Sequence, residues 1–204
     1  MSSEARALFA LALAAALTGS SAASPAPLPA RKAVLRLDSA ATRISFRLPG
    51  ALHDTHGTFR LREGTIEIDT ATNEAAGLVV VDASSGETGN SARDTRMREV
   101  VLETDRFPDV RFRPAKINGA LDADGSFRAT VQGTFTLHGA DHGMTIVADG
   151  RLNGERATAT CRFVVPYVDW GLKDPSVLFL TVAKQVEIEV TTAADVTWRP
   201  PGLG

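Results

Sequence analysis

The sequence predicts an all-β protein, an antiparallel barrel with one short helix at its mouth. Three observations predict it: apolar and polar residues alternate along many short segments, turn residues separate those segments, and one charged segment has helical spacing. The clearest alternation runs through 126–138, where apolar side chains share one face and arginine, threonine and glutamine share the other. One apolar and one polar face is typical of an antiparallel sheet, and closing that sheet into a barrel removes its exposed edges.

The elements follow along the chain as candidate strands joined by polar turns such as Asn118-Gly119 and Asn153-Gly154. The predicted strands are 33–37, 42–48, 57–68, 76–83, 110–117, 126–138, 143–152, 156–167 and 185–196. Eight or nine strands suit a closed barrel, and a two-sheet sandwich is the alternative architecture.

A charged helix interrupts the strands within 90–112. We expect it to begin at a capping box formed by Ser91 and Asp94, and to end before Phe107-Pro108. The apolar residues between these limits form a narrow stripe, which predicts a helix that rests on the barrel without being buried in it.

The direction of the strands predicts where the irregular segments gather. If successive strands run up and down, one end collects the short polar connections 38–41, 69–75, 118–125 and 153–155. The other end collects the connections 49–56, 84–109, 139–142 and 168–184. Because the helix and all four histidines fall at this second end, we interpret it as the mouth of the barrel.

The first residues are typical of a secretory signal peptide. A basic residue precedes the apolar run 7–17 and small residues follow, so we expect a signal peptide over 1–23 with cleavage after Ala23. The run is too short to span a bilayer as a helix. Residues 24–32 read as a Pro/Ala-rich linker, and 33–198 as a single barrel domain located in the periplasm or secreted.

Composition narrows the range of functions. The formal net charge of −2 gives no reason to expect a nucleic acid as partner. Cys161 is the only cysteine, so an internal disulfide is excluded. The sequence contains no nucleophile motif of the Gly-x-Ser-x-Gly type. We therefore expect a protein that is not an enzyme and that needs no cofactor.

The predicted inward face mixes large apolar residues with small ones such as Ala129, Gly133 and Ala159. Small residues leave space, and an unfilled apolar cavity costs about 24 cal/mol per Å³. An eight-stranded barrel can be filled by its own side chains or can hold one elongated ligand. Facing aromatic side chains or a long, thin apolar ligand would therefore have to occupy the space.

Four segments carry a family resemblance: "HGTFRLREGTIEID" (56–69), "SARDTRMREVVLETDRFPDVRF" (91–112), "VQGTFTLHG" (131–139) and "VEIEVTTAADV" (186–196). Through them the chain resembles the YceI-like polyisoprenoid-binding family of exported proteins. The resemblance implies an eight-stranded, lipocalin-like antiparallel barrel with a helix near one end. It also implies an interior that takes an isoprenoid chain, as in a polyprenyl carrier or a quinone tail.

We therefore predict an exported lipid-binding protein whose partner is a polyisoprenoid or quinone-like lipid; a homodimer is left open. The residues predicted to contact this ligand are Ile44, Phe46, Phe59, Phe112, Val131, Phe135, Phe163 and Val165, with Arg93 near the head group. Arg93 and Arg96 could bind a pyrophosphate or quinone head, since guanidinium groups bind phosphate oxygens bidentately. The alternative is that Arg93 pairs with Asp94 or a neighbouring carboxylate and only stabilises the helix.

Two other functions compete with the lipid carrier. The mouth histidines, which are His53, His56, His138 and His142, could serve a metal-binding protein or a metal-dependent hydrolase, although their spacing matches no established metal signature. We expect no metal there. The third function is a barrel without cargo that acts through its surface as a stress or assembly partner.

Overall fold

The computed structural model describes residues 32–176 and 181–199. The predicted signal peptide and all of the predicted linker except Lys32 lie outside the described residues. Within them, the strands are β1 (Lys32–Leu37), β2 (Arg43–Leu48), β3 (Thr55–Asp69), β4 (Ala75–Glu87), β5 (Asp109–Leu121), β6 (Ser126–Leu137), β7 (Ala140–Asn153), β8 (Arg156–Val165) and β9 (Val186–Arg199). Helix α1 (Ser91–Arg96) continues directly into a π-helical turn, Met97–Val101.

The strands close into an eight-position antiparallel barrel, as predicted. Each strand from β3 to β8 pairs with the next one along the chain. β1 and β2 both pair with β3 on one side and with β9 on the other, so together they fill a single position in the wall. No helix in the described part of the chain is long and apolar enough to cross a membrane.

The prediction that 38–41 connects two opposed strands at the end of the barrel is wrong. β1 and β2 are both antiparallel to β3, so they run in the same direction and the turn between them lies within the wall. Asp38 stabilises this turn, because its carboxylate accepts hydrogen bonds from the backbone N–H groups of Ala40 and Ala41. A local turn signal does not reveal whether the chain reverses or continues after it.

The predicted inward and outward faces are confirmed by burial. On β8, Ala157 and Val165 are only 7% and 3% exposed, whereas the neighbouring Val164 is 45% exposed.

Buried apolar residues collect in two clusters at opposite ends of the strands. The mouth cluster comprises Val101, Leu137, Val165, Tyr167 and Leu172. The closed-end cluster comprises Ala33, Ala157 and Val196, with Leu35, Ile68, Leu152 and Trp198 packed against them.

Candidate functional site

A cavity of about 420 Å³ lies inside the mouth half of the barrel. Its walls come from the mouth-side parts of the strands, from α1 and its π-helical turn, and from the connection between β8 and β9. Most of the lining is apolar, with aromatic pairs such as Phe46–Phe59 and Phe135–Phe163, whose ring centroids lie 5.4 and 6.2 Å apart. The volume falls within the range of about 300–1,000 Å³ that is usual for small-molecule pockets.

Seven of the nine residues predicted to contact a ligand line this cavity: Ile44, Phe46, Phe59, Arg93, Phe135, Phe163 and Val165. The other two, Phe112 and Val131, do not line it. Phe112 covers Gly133, since a Cβ on that glycine would lie 2.8 Å from Cζ of the ring. Val131 lies opposite Ile146 of β7 and Ile117 of β5, farther from the mouth. The contact of all nine with a ligand stays a prediction.

Wall glycines allow two aromatic rings to lie along the wall of the cavity. A Cβ on Gly57 would overlap the ring of Phe46, and a Cβ on Gly86 would lie 2.7 Å from the ring of Phe59. Because each ring occupies the place of a missing side chain, both rings lie close to the wall. Gly57 and Gly86 therefore help to determine the shape of the cavity.

The interior remains incompletely filled beyond the cavity lining. Among the described residues, no large side chain is less than 2% exposed. Val131, Ala159 and Cys161 point inward and are still partly exposed, so part of their surface faces interior space. Burial raises the pKa of the Cys161 thiol to about 11, with the charge of Asp149 as a smaller cause. A thiol in such surroundings behaves as a small apolar group.

The helix at the mouth begins differently from the prediction. Asn90 is the N-cap residue, and its side-chain oxygen accepts a hydrogen bond of 3.0 Å from the backbone N–H of Arg93. Ser91 is already the first residue of the helix, so the predicted capping box of Ser91 and Asp94 is wrong. Asparagine and serine are both favourable N-caps, and they are adjacent in this chain.

Asp94 instead anchors the helix to the end of β4. It is 7% exposed, and its Oδ1 accepts hydrogen bonds from the backbone N–H of Thr88 at 2.9 Å and from the Thr88 hydroxyl at 2.6 Å. The π-helical turn is held to the same strand, because Arg98 donates to the carbonyl of Gly86. These contacts place Met97 and Val101 against the cavity.

Polar side chains lie on one side of the otherwise apolar cavity, in a group that we call the polar rim. It consists of Thr55 at the start of β3, Thr88 after β4, and Arg93 and Arg96 of α1. Arg93 donates from Nη1 to the Thr55 hydroxyl at 3.1 Å. The predicted alternative, an ion pair between Arg93 and Asp94, is absent from the described residues, because Asp94 is engaged by Thr88.

The connection after β8 crosses the mouth. Tyr167 is 6% exposed and donates its hydroxyl hydrogen to the carbonyl of Ala183 at 2.8 Å. Burial raises the pKa of Tyr167 to about 12, so the phenol keeps its proton under physiological conditions. Val182 pairs with Gly50 in an isolated bridge, which links this connection to the one after β2. Residues 177–180 of the predicted mouth segment lie outside the described residues.

The chain matches the model of the YceI-like domain over residues 35–194. The protein belongs to the YceI-like family. The resemblance deduced from the sequence motifs is thereby confirmed, and it covers almost the whole of the described barrel.

Several relatives and solved structures are similar to this YceI-like protein. A UPF0312 protein of Pseudomonas fluorescens (strain SBW25) is 29% identical over 142 residues, which cover 66% of this chain and 72% of that protein. The crystal structure of Burkholderia cenocepacia BcnA has a TM-score of 0.61 at 18% identity and covers 77% of this chain and 98% of its own. A polyisoprenoid binding domain from Saccharophagus degradans, implicated in plant cell wall breakdown, has a TM-score of 0.60 at 19% identity, covering 80% and 98%. At these identities the two structures show a shared fold.

The mouth histidines of this YceI-like protein have separate surroundings. His138 Nε2 lies 2.6 Å from Oε2 of Glu103, and this hydrogen bond lowers the pKa of Glu103. The ring of His142 stacks on Trp170, with centroids 3.9 Å apart and planes at 3°. His53 and His56 are exposed. No group of three or more His, Cys, Asp or Glu side chains could hold a metal ion within 32–176 and 181–199.

Proposed function

We propose that this YceI-like protein is an exported, non-enzymatic carrier that holds a polyisoprenoid or isoprenoid-quinone lipid in its barrel. The observation that carries the proposal is the apolar cavity in the mouth half. Transfer of apolar surface from water into such a cavity contributes about 25 cal/mol per Å² buried, so a long hydrocarbon tail gains affinity from its length alone. A lipid tail is well suited to this cavity because it presents no polar groups to the apolar lining.

Two further observations support the proposal. The chain belongs to the YceI-like family, and one structure that shares this fold is described as a polyisoprenoid binding domain. The interior also keeps unfilled space beyond the cavity, with partly exposed inward side chains on β6 and β8. We place the carrier in the periplasm or outside the cell, in line with the signal peptide predicted over 1–23.

Native mass spectrometry of the protein purified from its own host, followed by organic extraction, tests the proposal. We expect a bound species that the extract identifies as an isoprenoid lipid. Protein that carries no lipid and takes up neither geranylgeraniol nor an isoprenoid quinone when these are added would refute it.

A matched pair of substitutions connects lipid uptake with the cavity. Val190 lines the cavity, whereas Val164 on the neighbouring strand faces solvent. We expect Val190→Phe to weaken geranylgeraniol binding about tenfold or more, since misfit of even one methylene in an apolar pocket costs about 1–3 kcal/mol. The same change at Val164 should leave binding intact. Equal effects of the two substitutions would place the lipid somewhere other than the cavity.

A further inference from the structure

The polar rim has a donor-rich composition. Each guanidinium group carries five N–H donors and no acceptor, and one donor of Arg93 is used on the Thr55 hydroxyl. Because the Thr55 oxygen accepts that bond, its hydroxyl hydrogen remains free to be donated elsewhere. The Thr88 hydroxyl donates to Asp94 and retains acceptor capacity. Hydrogen-bond donors therefore outnumber acceptors on this side of the cavity.

The rim also has a net positive charge. Neither Arg93 nor Arg96 has a carboxylate oxygen within 4.0 Å in the described part of the chain. The adjacent carboxylate of Asp94 is buried and accepts both of its hydrogen bonds from Thr88. Arg93 is half-buried and Arg96 is exposed at the outer edge. Two positive charges thus border a cavity whose other walls are nearly all apolar.

Apolar walls strengthen the attraction between these charges and an anion. Low-dielectric surroundings weaken solvent screening, and a cleft lined by one sign of charge concentrates the field at its opening. Hydrogen bonds between guanidinium groups and phosphate oxygens are charge-assisted and frequently bidentate. A quinone carbonyl accepts hydrogen bonds but carries no charge, so it would bind the hydrogen-bond donors of the rim without a charge–charge attraction.

We infer that the bound lipid carries an anionic, phosphate-type head group, a monophosphate or a diphosphate, which Arg93 and Arg96 bind at the polar rim. This inference rests on the proposed function, in which the lipid tail occupies the cavity. Arg96 is placed to contact the outer phosphate oxygens, and Arg93 with the Thr55 hydroxyl those nearer the tail.

Two lipids with the same tail test the inference on the full protein. Geranylgeranyl diphosphate and geranylgeraniol share a twenty-carbon tail and differ in the head group alone. We expect the diphosphate to bind at least about tenfold more tightly, since hydrogen bonds to charged groups contribute about 1.5–3 kcal/mol. Raising the salt concentration should weaken binding of the diphosphate and leave binding of the alcohol unchanged. Equal affinities with equal salt dependence would overturn the inference.

Substitutions then test whether the preference for the diphosphate over the alcohol depends on the polar rim. We expect Arg93→Met and Arg96→Met each to reduce affinity for the diphosphate about tenfold, with little effect on the alcohol. Arg128→Met is the control, because it removes one positive charge from the outer face of β6, where this arginine is 75% exposed. Arg96 is exposed on the helix surface, so its substitution keeps the test valid if Arg93→Met impairs folding. Unchanged affinity for the diphosphate in both variants would overturn the assignment.

Two further outcomes separate this inference from the proposed function. If neither lipid binds, the proposed carrier function fails and the head-group inference falls with it. If inorganic diphosphate alone binds as tightly as geranylgeranyl diphosphate, the rim is a site for a free anion and the inference is overturned. We expect inorganic diphosphate to bind far more weakly, because it cannot bury a tail in the cavity.

Discussion

The mouth half and the closed half of the barrel share β3 to β9, but β2 completes the wall at the mouth and β1 completes it at the closed end. The cavity of about 420 Å³ lies in the mouth half. Both halves show the same alternation of inward and outward residues. In the closed half, Trp198 and Leu152 pack against Ala33 and Ala157, so each small residue has a large partner on a neighbouring strand. In the mouth half, large residues on every side surround the cavity.

The difference shows that small inward residues alone do not determine where the cavity lies. None of the five small inward residues on β6 and β8, which are Ala129, Gly133, Ala157, Ala159 and Cys161, lines the cavity. Gly133 is covered by Phe112 of the adjacent strand, and Gly150 by Phe127. The size of one side chain therefore says little about empty volume, because the residue that faces it comes from another strand. The cavity arises where loops and α1 cover the barrel without filling it.

The largest expected effect concerns Cys161, which lies between the two halves. Burial raises the pKa of its thiol from an ordinary value of 9.0 to about 11. At pH 8 the thiolate fraction is then about 100-fold smaller than for an unperturbed thiol, and the thiolate is the reactive form. We expect iodoacetamide to modify folded protein about 100-fold more slowly than urea-unfolded protein, with a rate that rises with pH up to about 11.

Mass spectrometry after timed quenching measures this rate. Since Cys161 is the only cysteine, each modification event reports on this one position. A folded rate at pH 8 close to the unfolded rate would mean that water fills the barrel beyond the cavity. The water-accessible part of the interior would then extend farther toward the closed end than the cavity does.

The second effect compares the same large side chain in the two halves. Ala157 belongs to the closed-end cluster, whereas Val190 lines the cavity. We expect Ala157→Phe to lower the free energy of unfolding by about 2 kcal/mol, because overpacking a filled core typically costs about 1–3 kcal/mol. Val190→Phe should change it by less than about 0.5 kcal/mol, since the added ring enters empty space. Urea denaturation measures both, and equal losses would show that the two halves are packed alike.

The strands and their faces could be predicted from the sequence because alternation is a local property. All nine predicted strands are present, and none of their ends differs by more than four residues from the prediction. The position of the mouth followed from strand direction, and the helix lies there as expected. Seven of the nine residues predicted to contact a ligand line the cavity. Six of them are strand residues that combine inward parity with positions near the mouth, and the seventh, Arg93, lies on α1.

The wrong predictions concern features that depend on contacts between segments distant in the sequence. The turn at 38–41 has the residues of a hairpin turn, and only pairing with β3 and β9 shows that the chain continues in the same direction. The partner of Asp94 could not be deduced from its neighbour Arg93, because Thr88 reaches it when the chain bends from β4 into α1. Val131 has inward parity as well, but parity carries no information on depth along the barrel. Phe112 pairs with Phe135 and so lies at a similar depth, but its ring covers Gly133, a contact between strands that parity does not reveal.

The smallest expected effect uses the two tryptophans as reporters of the two halves. Trp170 contacts Phe135, which lines the cavity, at a centroid distance of 5.7 Å, whereas Trp198 packs in the closed-end cluster. In Trp198→Phe, fluorescence comes from the mouth alone, and in Trp170→Phe it comes from the closed end alone. We expect geranylgeraniol to shift the emission of the first variant modestly, because Trp170 is one contact away from the cavity. The emission of the second should stay constant, and a change there would mean that the lipid tail penetrates the closed-end cluster.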